Sequence, residues 1–422
     1  VAATTAANSV FIGGEAGESM TTGDYNVAIG FQALQTEDEQ GKNVAIGYRA
    51  LKALNASSDG QNTAIGYNAG LSVSTGISNV LIGSTTGDAI TTGSSNVAVG
   101  NFALSAEDEH GNNTAIGSYA LQDLDAGTNA NDTAVGYFAG ANCTTSVQSV
   151  YLGAFAGFAC TTASDNVAIG YQALKAETVR GKSVAIGKDA LLSQTGGSTD
   201  MYNVVVGYEA ADAVTTSSGN VVVGASALGG ETTGGNNVAV GYQALLVSDG
   251  GVDNVAVGKD AGKSISTGIR NTIIGATAGD ALTTGSNNTI IGKNAEASAV
   301  DVDNEITLGN SAISTIRAQV TSISSLSDRR DKKYIQDSIY GLDFVDSLKP
   351  VTFEWDQRDG ERKGVKDVGF IAQDLQEVDD EYTRLVYESN PDKLEATYGR
   401  LIPIMAKAIQ ELSAKVKMLE NK

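Results

Sequence analysis

Apolar and polar positions follow a short pattern that returns about every 17 residues through most of the chain. A polar residue, most often Asn, precedes a branched–small–branched triplet, and a glycine closes it, as in Asn43-Val44-Ala45-Ile46-Gly47. The closing glycines are Gly13, Gly30, Gly47, Gly66, Gly83, Gly100, Gly117, Gly136, Gly153, Gly170, Gly187, Gly207, Gly224, Gly241, Gly258, Gly275, Gly292 and Gly309, eighteen copies in all. Fourteen of the intervals are 17 residues and the others are 19, 19 and 20. Insertions at a fixed place in the unit belong in loops. Side chains alternate along a strand, so each triplet reads as a strand with Val44 and Ile46 on one face and Ala45 on the other. The glycine permits a tight bend. A small apolar pair follows, such as Gln32-Ala33-Leu34, and then a polar turn.

A unit of 17 residues is too short for a helical solenoid, whose repeats run to about 33 residues or more. It predicts a mainly β fold, a parallel β-solenoid over residues 1–309. Seventeen steps of about 4.8 Å give a rod on the order of 80 Å long. The expectation is that Val, Ile and Leu fill the coil while the middle Ala forms a flat outer face that packs against copies of the chain. A longer period is also visible. Gly13, Gly83 and Gly153 are followed four residues later by Gly17, Gly87 and Gly157, whereas Gly30, Gly100 and Gly170 are followed by Leu34, Leu104 and Leu174. The 70-residue spacing points to duplication of a block of four coils.

After Gly309 the pattern changes. Residues 310–326 partly alternate and read as an extended connector that pairs with its copies around a three-fold axis. Residues 327–422 do not repeat and read as a small α+β domain. From about Tyr398 to residue 420 the spacing becomes helical, with Leu401, Met405, Ala408, Leu412, Val416 and Leu419 near heptad positions. Pro403 falls early, where a first helical turn tolerates it. So short a heptad run is marginal alone and makes sense as a trimeric coiled-coil clasp.

Charge separates the same two parts. Of the net −21, residues 1–309 carry −18 and residues 310–422 carry −3. All three prolines and the single tryptophan, Trp355, lie in the second part. The acidity excludes nucleic acid as a partner, which needs a basic face. No apolar run approaches the roughly 20 residues of a membrane span. The start, Val-Ala-Ala, reads as a processed end or a boundary with an anchoring piece upstream.

Four features inside the array invite chemical readings. The single histidine, His110, lies in a polar loop, which argues against zinc or a Ser-His-Asp triad and for a solvated side chain. The acidic runs Glu37-Asp38-Glu39 and Glu107-Asp108-Glu109 stand 70 residues apart; they read as solvated loops, with calcium as the alternative. Cys143 and Cys160 hold the same place in consecutive coils and read as packed thiols in preference to a disulfide. Tyr48, Tyr67, Tyr137, Tyr171, Tyr208 and Tyr242 each follow a strand glycine, which favours packing over coil edges or between chains above stacking on sugars. No cofactor and no metal is expected.

The repeat resembles the head region of trimeric adhesins with an Asn-Ser-Val-Ala-Ile-Gly signature, approached here by Ser183-Val184-Ala185-Ile186-Gly187. That resemblance implies a left-handed parallel β-roll and a homotrimer. The run Ser327-Asp328-Arg329-Arg330-Asp331-Lys332-Lys333 opens a second resemblance, continued by Gly341-Leu342-Asp343-Phe344, Val351-Thr352-Phe353-Glu354-Trp355 and Val368-Gly369-Phe370-Ile371-Ala372-Gln373-Asp374-Leu375. Together these resemble the self-cleaving intramolecular chaperone of phage tailspikes and tail fibres, the S74 peptidase family. The resemblance implies Ser327 as nucleophile, Lys332 as base and a cut between Leu326 and Ser327. A serine hydroxyl needs a base to take its proton, and a lysine serves when its neighbours favour the neutral amine, as the cationic Arg329, Arg330 and Lys333 would.

The reading that follows is a structural and adhesive trimeric fibre, a bacteriophage tail-fibre shaft on the virion that meets a host surface receptor or glycan. Its only enzymology is one cleavage of its own chain. A bacterial cell-surface adhesin or extracellular filament using the same chaperone is the alternative, and a glycan-cleaving tailspike stands third.

Overall fold

The computed structural model describes residues 6–196, 199–313, 315–317, 319, 327–357, 363–388 and 394–421. The repeat forms one parallel sheet of eighteen three-residue strands, from β1 (Val10–Ile12) to β18 (Ile306–Leu308). Each strand pairs in register with the strand one coil later: Val44 stands beside Thr63, and Val184 beside Val204. The longer intervals leave that register intact because the extra residues are taken up in turns, as at 55–60 and 125–130. The β-solenoid is therefore as the periodicity predicts.

The sidedness is the reverse of the expectation. The middle residue of the triplet points inward. Ala28, Ala45, Ala98 and Ala168 are fully buried, while Ile65, Ile116, Val204 and Ile274 stand exposed on the outer face. The reason is space. The apolar residue four positions after the glycine, as in Leu34, Leu51 and Leu104, is itself fully buried and fills the narrow coil from the opposite side. A strand residue facing that leucine is alanine in seven coils and valine in one, at Val222 with Leu228. Leu34 adopts the left-handed conformation at φ 50°. That costs roughly 1–2 kcal/mol, and burying the side chain returns about 1.5–3 kcal/mol, so burial holds it there.

The stacking glycine has a second role beyond bending. At Gly47, φ is +137° and an added Cβ would lie 2.2 Å from the carbonyl oxygen of Gly66 in the next coil. The asparagine that precedes most of the strands has one as well. The side-chain Oδ1 of Asn43 accepts from the backbone N–H of Asn62 at 3.1 Å, and Asn62 Oδ1 accepts from Asn79 N–H at 2.9 Å. Asn62 Nδ2 also donates to the carbonyl of Gly76 at 2.9 Å. These buried amides form a ladder along the rod and satisfy backbone groups that the turns leave unpaired.

The C-terminal part holds α1 (Leu342–Ser347), an antiparallel pair β19 (Val351–Asp356) and β20 (Lys363–Gly369), α2 (Ala372–Gln376), a second pair β21 (Val386–Tyr387) and β22 (Glu395–Ala396), and the 20-residue α3 (Leu401–Glu420). Its core joins Leu375, Leu385, Leu401 and Ile404 with Phe344, Val345 and Phe370. The heptad assignment on α3 needs correction. Leu401 and Ala408 are buried within the domain, whereas Ile402, Met405, Ile409, Leu412, Val416 and Leu419 are exposed and follow a strict three–four spacing. Among the described residues, no helix is long and apolar enough to cross a membrane. Most of the connector at 310–326 lies outside the described residues.

Candidate functional site

Ser327 and Lys332 meet across one tight turn. Asp328 is extended, with φ −68° and ψ 137°, and its Oδ1 accepts from the N–H of Arg330 at 2.9 Å, which starts a single 3-10 turn over Arg329–Asp331. Lys332 is extended again, and its N–H donates to the carbonyl of Arg329 at 3.2 Å. Two extended flanks on a one-turn reversal come back alongside each other. Lys332 Nζ lies 2.6 Å from Ser327 Oγ, and both side chains face solvent.

The cations around this pair are not equivalent. Arg330 closes on Asp328 through two short contacts, Nη2 to Oδ2 at 2.6 Å and Nε to Oδ1 at 3.1 Å. Hydrogen bonding to Arg330 holds the Asp328 carboxyl below its usual value. The positive charge expected to bear on Lys332 is thus partly neutralised by a neighbour that also shapes the turn. Leu326, the other half of the expected cleavage site, lies outside the described residues.

An open cleft of about 680 Å³ adjoins Lys332, lined by residues 333–340, Tyr382, Thr383 and the start of α3 at Arg400, Pro403 and Ile404. The segments downstream pack together through close approaches at glycine. Glu411 on α3 accepts from the N–H of Leu342 at 2.8 Å and so caps α1; a Cβ at Gly341 would stand 2.3 Å from that carboxylate. The hydroxyl of Tyr398 accepts from Phe370 N–H at 3.1 Å, and a Cβ at Gly369 would lie 2.6 Å from it. The Gly-Leu and Gly-Phe pairs of the sequence are explained by these contacts.

The features of the array fall out differently from expectation. Glu37 and Glu107 are fully buried and not solvated. Glu37 accepts from Gln40 N–H at 3.0 Å and from Ala56 N–H at 3.3 Å, so the carboxylate organises its turn. His110 is half-buried against Glu107, which also departs from a solvated loop. Cys143 and Cys160 are free buried thiols. Tyr48 stacks on Tyr67 with centroids 5.2 Å apart and on Phe31 at 5.7 Å, so these rings form a ladder along the coil edges. A second ladder that sequence reading passed over runs through Phe102, Tyr119, Phe138 and Phe155. Its signal was the aromatic two residues after the strand glycine.

Comparison with family models matches residues 327–386 to the Peptidase_S74 family, described as chaperone of endosialidase. The match begins at Ser327. No curated protein and no solved structure matches the chain.

Proposed function

Taking as premise that residues 327–386 are a Peptidase_S74 chaperone domain beneath a β-solenoid, we propose that the chain is a structural and adhesive fibre that assembles as a homotrimer. The reading is a bacteriophage tail-fibre shaft that carries host-attachment surfaces, with a C-terminal domain that drives assembly and then cuts itself off. The observation that carries it is the unpartnered apolar seam of α3 set beside the Ser327–Lys332 pair. Six exposed residues at three–four spacing suit a helix that buries itself against copies in a short coiled coil. The outer faces of the strands supply a matching stripe of Val and Ile along the rod. Such a stripe is a sheet face without a partner in one chain, and two further copies would cover it.

Assembly by this route addresses a problem built into the repeat. Each coil resembles the next, so chains aligned only through the rod can slip by whole units. Parallel stacking over long separations is also slow to nucleate. A seam at one end fixes register before the rod zips.

The cleavage step follows from the dyad. Ser327 Oγ attacks the carbonyl carbon of residue 326 while Lys332 takes the hydroxyl proton. The C–N bond breaks, Lys332 returns the proton to the departing Ser327 nitrogen, and an ester remains on Oγ. Water then hydrolyses the ester, leaving a carboxylate on residue 326 and a free amine on Ser327. In a single chain both groups face solvent. Burial by neighbouring copies favours the neutral amine, which ties cleavage to assembly. Removal of the clasp then leaves the rod kinetically trapped.

The test is intact mass and native mass of the purified chain, wild type beside Ser327→Ala. The expected wild type is a trimer lacking residues 327–422, and the expected variant is a full-length trimer. A full-length wild type defeats the cleavage step, and a monomer defeats the fibre.

A further inference from the structure

We infer that Glu107, Asp108, His110 and Asp125 form a binding site for a divalent transition-metal ion of the zinc kind, which clips two consecutive coils of the rod together. Each of the four offers a ligand atom, and these atoms all lie within 4.8 Å of one another. Four tetrahedral ligands about 2.0–2.2 Å from a zinc ion stand about 3.3–3.6 Å apart, so closure draws the outermost atoms together by about an ångström. Glu107, Asp108 and His110 sit on one turn, and Asp125 reaches the same point from the next coil.

The second observation is a pair of buried polar atoms left over. Glu107 is fully buried; its Oε1 accepts from the N–H of His110 at 2.9 Å, while its Oε2 has no hydrogen-bond partner among the described residues. His110 Nδ1 is likewise buried without a partner, 3.5 Å from Glu107 Oε1. A buried carboxylate oxygen left unpaired is costly.

The repeat supplies its own control. Three other buried glutamates hold the place of Glu107 in their coils, and each has both oxygens occupied. Glu37 accepts from Gln40 N–H and Ala56 N–H. Glu177 accepts from Arg180 N–H and from Gln194 Nε2. Glu231 accepts from Gly250 N–H and from Ser248 Oγ. The residues standing where His110 does are Gln40, Arg180 and Gly234. The unsatisfied oxygen and the imidazole occur together in one coil. An all-carboxylate set would suit calcium or magnesium; an imidazole among carboxylates suits zinc and its neighbours in the first row.

The experiment uses the full chain, stripped with chelator and titrated with Zn2+ by calorimetry and with Co2+ by visible absorption. The expected result is one ion per chain, with the rod's Tm rising as Zn2+ is added. His110→Ala keeps the backbone N–H and C=O that bond Glu107 and Asn96, so it spares the fold, and it should weaken Zn2+ by more than about tenfold. Asp125→Asn should do the same from the neighbouring coil. Stoichiometric Zn2+ binding that His110→Ala leaves unchanged, an absence of such binding in the wild type, or a preference for Ca2+ over Zn2+ would each overturn the assignment.

Discussion

Gly157 faces the ring of Tyr151: a Cβ added at Gly157 would lie 2.2 Å from both Cδ1 and Cε1 of the tyrosine. Tyr151 is the middle residue of its strand and fully buried. The same exchange of volume occurs at Phe11 with Gly17 and at Leu81 with Gly87, where the added Cβ would lie 2.4 and 2.8 Å away. In coils such as those of Ala28 and Ala168, where the strand offers only alanine, the position after the bend carries Leu34 or Leu174 instead, although Ala64 and Ala134 are followed there by Gly70 and Gly140. Gly157→Leu should therefore be severely destabilising through overpacking, by about 1–3 kcal/mol or more. Tyr151→Ala should cost about 3–5 kcal/mol through a cavity. The double variant rebuilds the Ala28/Leu34 arrangement and should recover a large part of both losses. A denaturation double-mutant cycle measures this, and simple additivity would contradict the pairing.

This pairing also shows what the sequence made legible. The 17-residue return of glycine and asparagine was enough for the solenoid, its strand count and the placing of insertions in turns. Sidedness was not, because hydrophobicity alone puts Val44 and Ile46 inside. What decides is volume in a coil too narrow for two large residues, and the signal was present as Phe11/Gly17 against Ala28/Leu34. In the C-terminal domain the motif led directly to Ser327 and Lys332, which a local turn joins. The cluster at His110 was hidden because Asp125 belongs to the next coil and only stacking brings it near.

The asparagine ladder has an acidic rung whose titration can be measured. Asp132 takes the place of an asparagine; its Oδ1 accepts from Ser149 N–H at 2.8 Å and its Oδ2 from Ser146 Oγ at 2.8 Å. Burial pushes its carboxyl up to about 6, although those bonds oppose the shift. A group raised in this way favours the fold fully below its ordinary value of 3.8, and that contribution is lost as pH rises through about 6. Burial raises Glu37 and Glu177 in the same direction. The rod should be more stable at pH 4–5 than at pH 7, with Asp132 contributing up to about 3 kcal/mol per chain. Asp132→Asn should raise Tm at pH 7 and flatten the dependence, read by far-UV circular dichroism.

The C-terminal domain should respond with the opposite sign. Asp379 is partly buried, which alone would push its carboxyl up, yet Thr383 Oγ1 at 2.6 Å and the N–H groups of Leu385 and Val386 at 2.7 and 3.0 Å hold it below the usual value. Its contribution is present above the ordinary carboxylate value and is lost as pH falls through the lowered one. The single tryptophan, Trp355, lies on β19 and reports this domain alone, and the Ser327→Ala background keeps it on the chain for this and the following measurements. Its fluorescence should show unfolding at acid pH under conditions where the rod's circular dichroism signal persists. Coincident transitions would contradict the separation.

Glu411 ties α3 to α1 in that domain. Its carboxylate accepts from Leu342 N–H, at the end of α1 where backbone donors lack partners. Glu411→Ala should cost about 1–2 kcal/mol, the value of a lost helix cap. Gly341→Ala should cost at least as much, because the new methyl group would meet that carboxylate at 2.3 Å. Trp355 fluorescence in denaturant measures both, and full stability in Gly341→Ala would show that the contact relaxes freely.

The two faces of α3 can be separated by substitution. Ile404 is 5% exposed and belongs to the domain core, whereas Ile409 is 64% exposed and Leu412 is 49% exposed on the seam. Ile404→Asp places an unpaired charge in that core and should unfold the domain outright. Ile409→Asp and Leu412→Asp fall on the exposed seam, so the Trp355 transition should move by less than about 0.5 kcal/mol if a single copy is all that folds. In a trimer the same substitutions bring three carboxylates to one level of a closed seam. Native mass should then fall from three copies to one, and soluble rod should be lost with it, because nothing else sets the alignment of the coils before they stack. Seam variants that keep three copies would place assembly on the outer Val and Ile stripe of the strands alone. In that case Ile65→Asp and Ile274→Asp, on the exposed face of the rod, should be the substitutions that dissociate it.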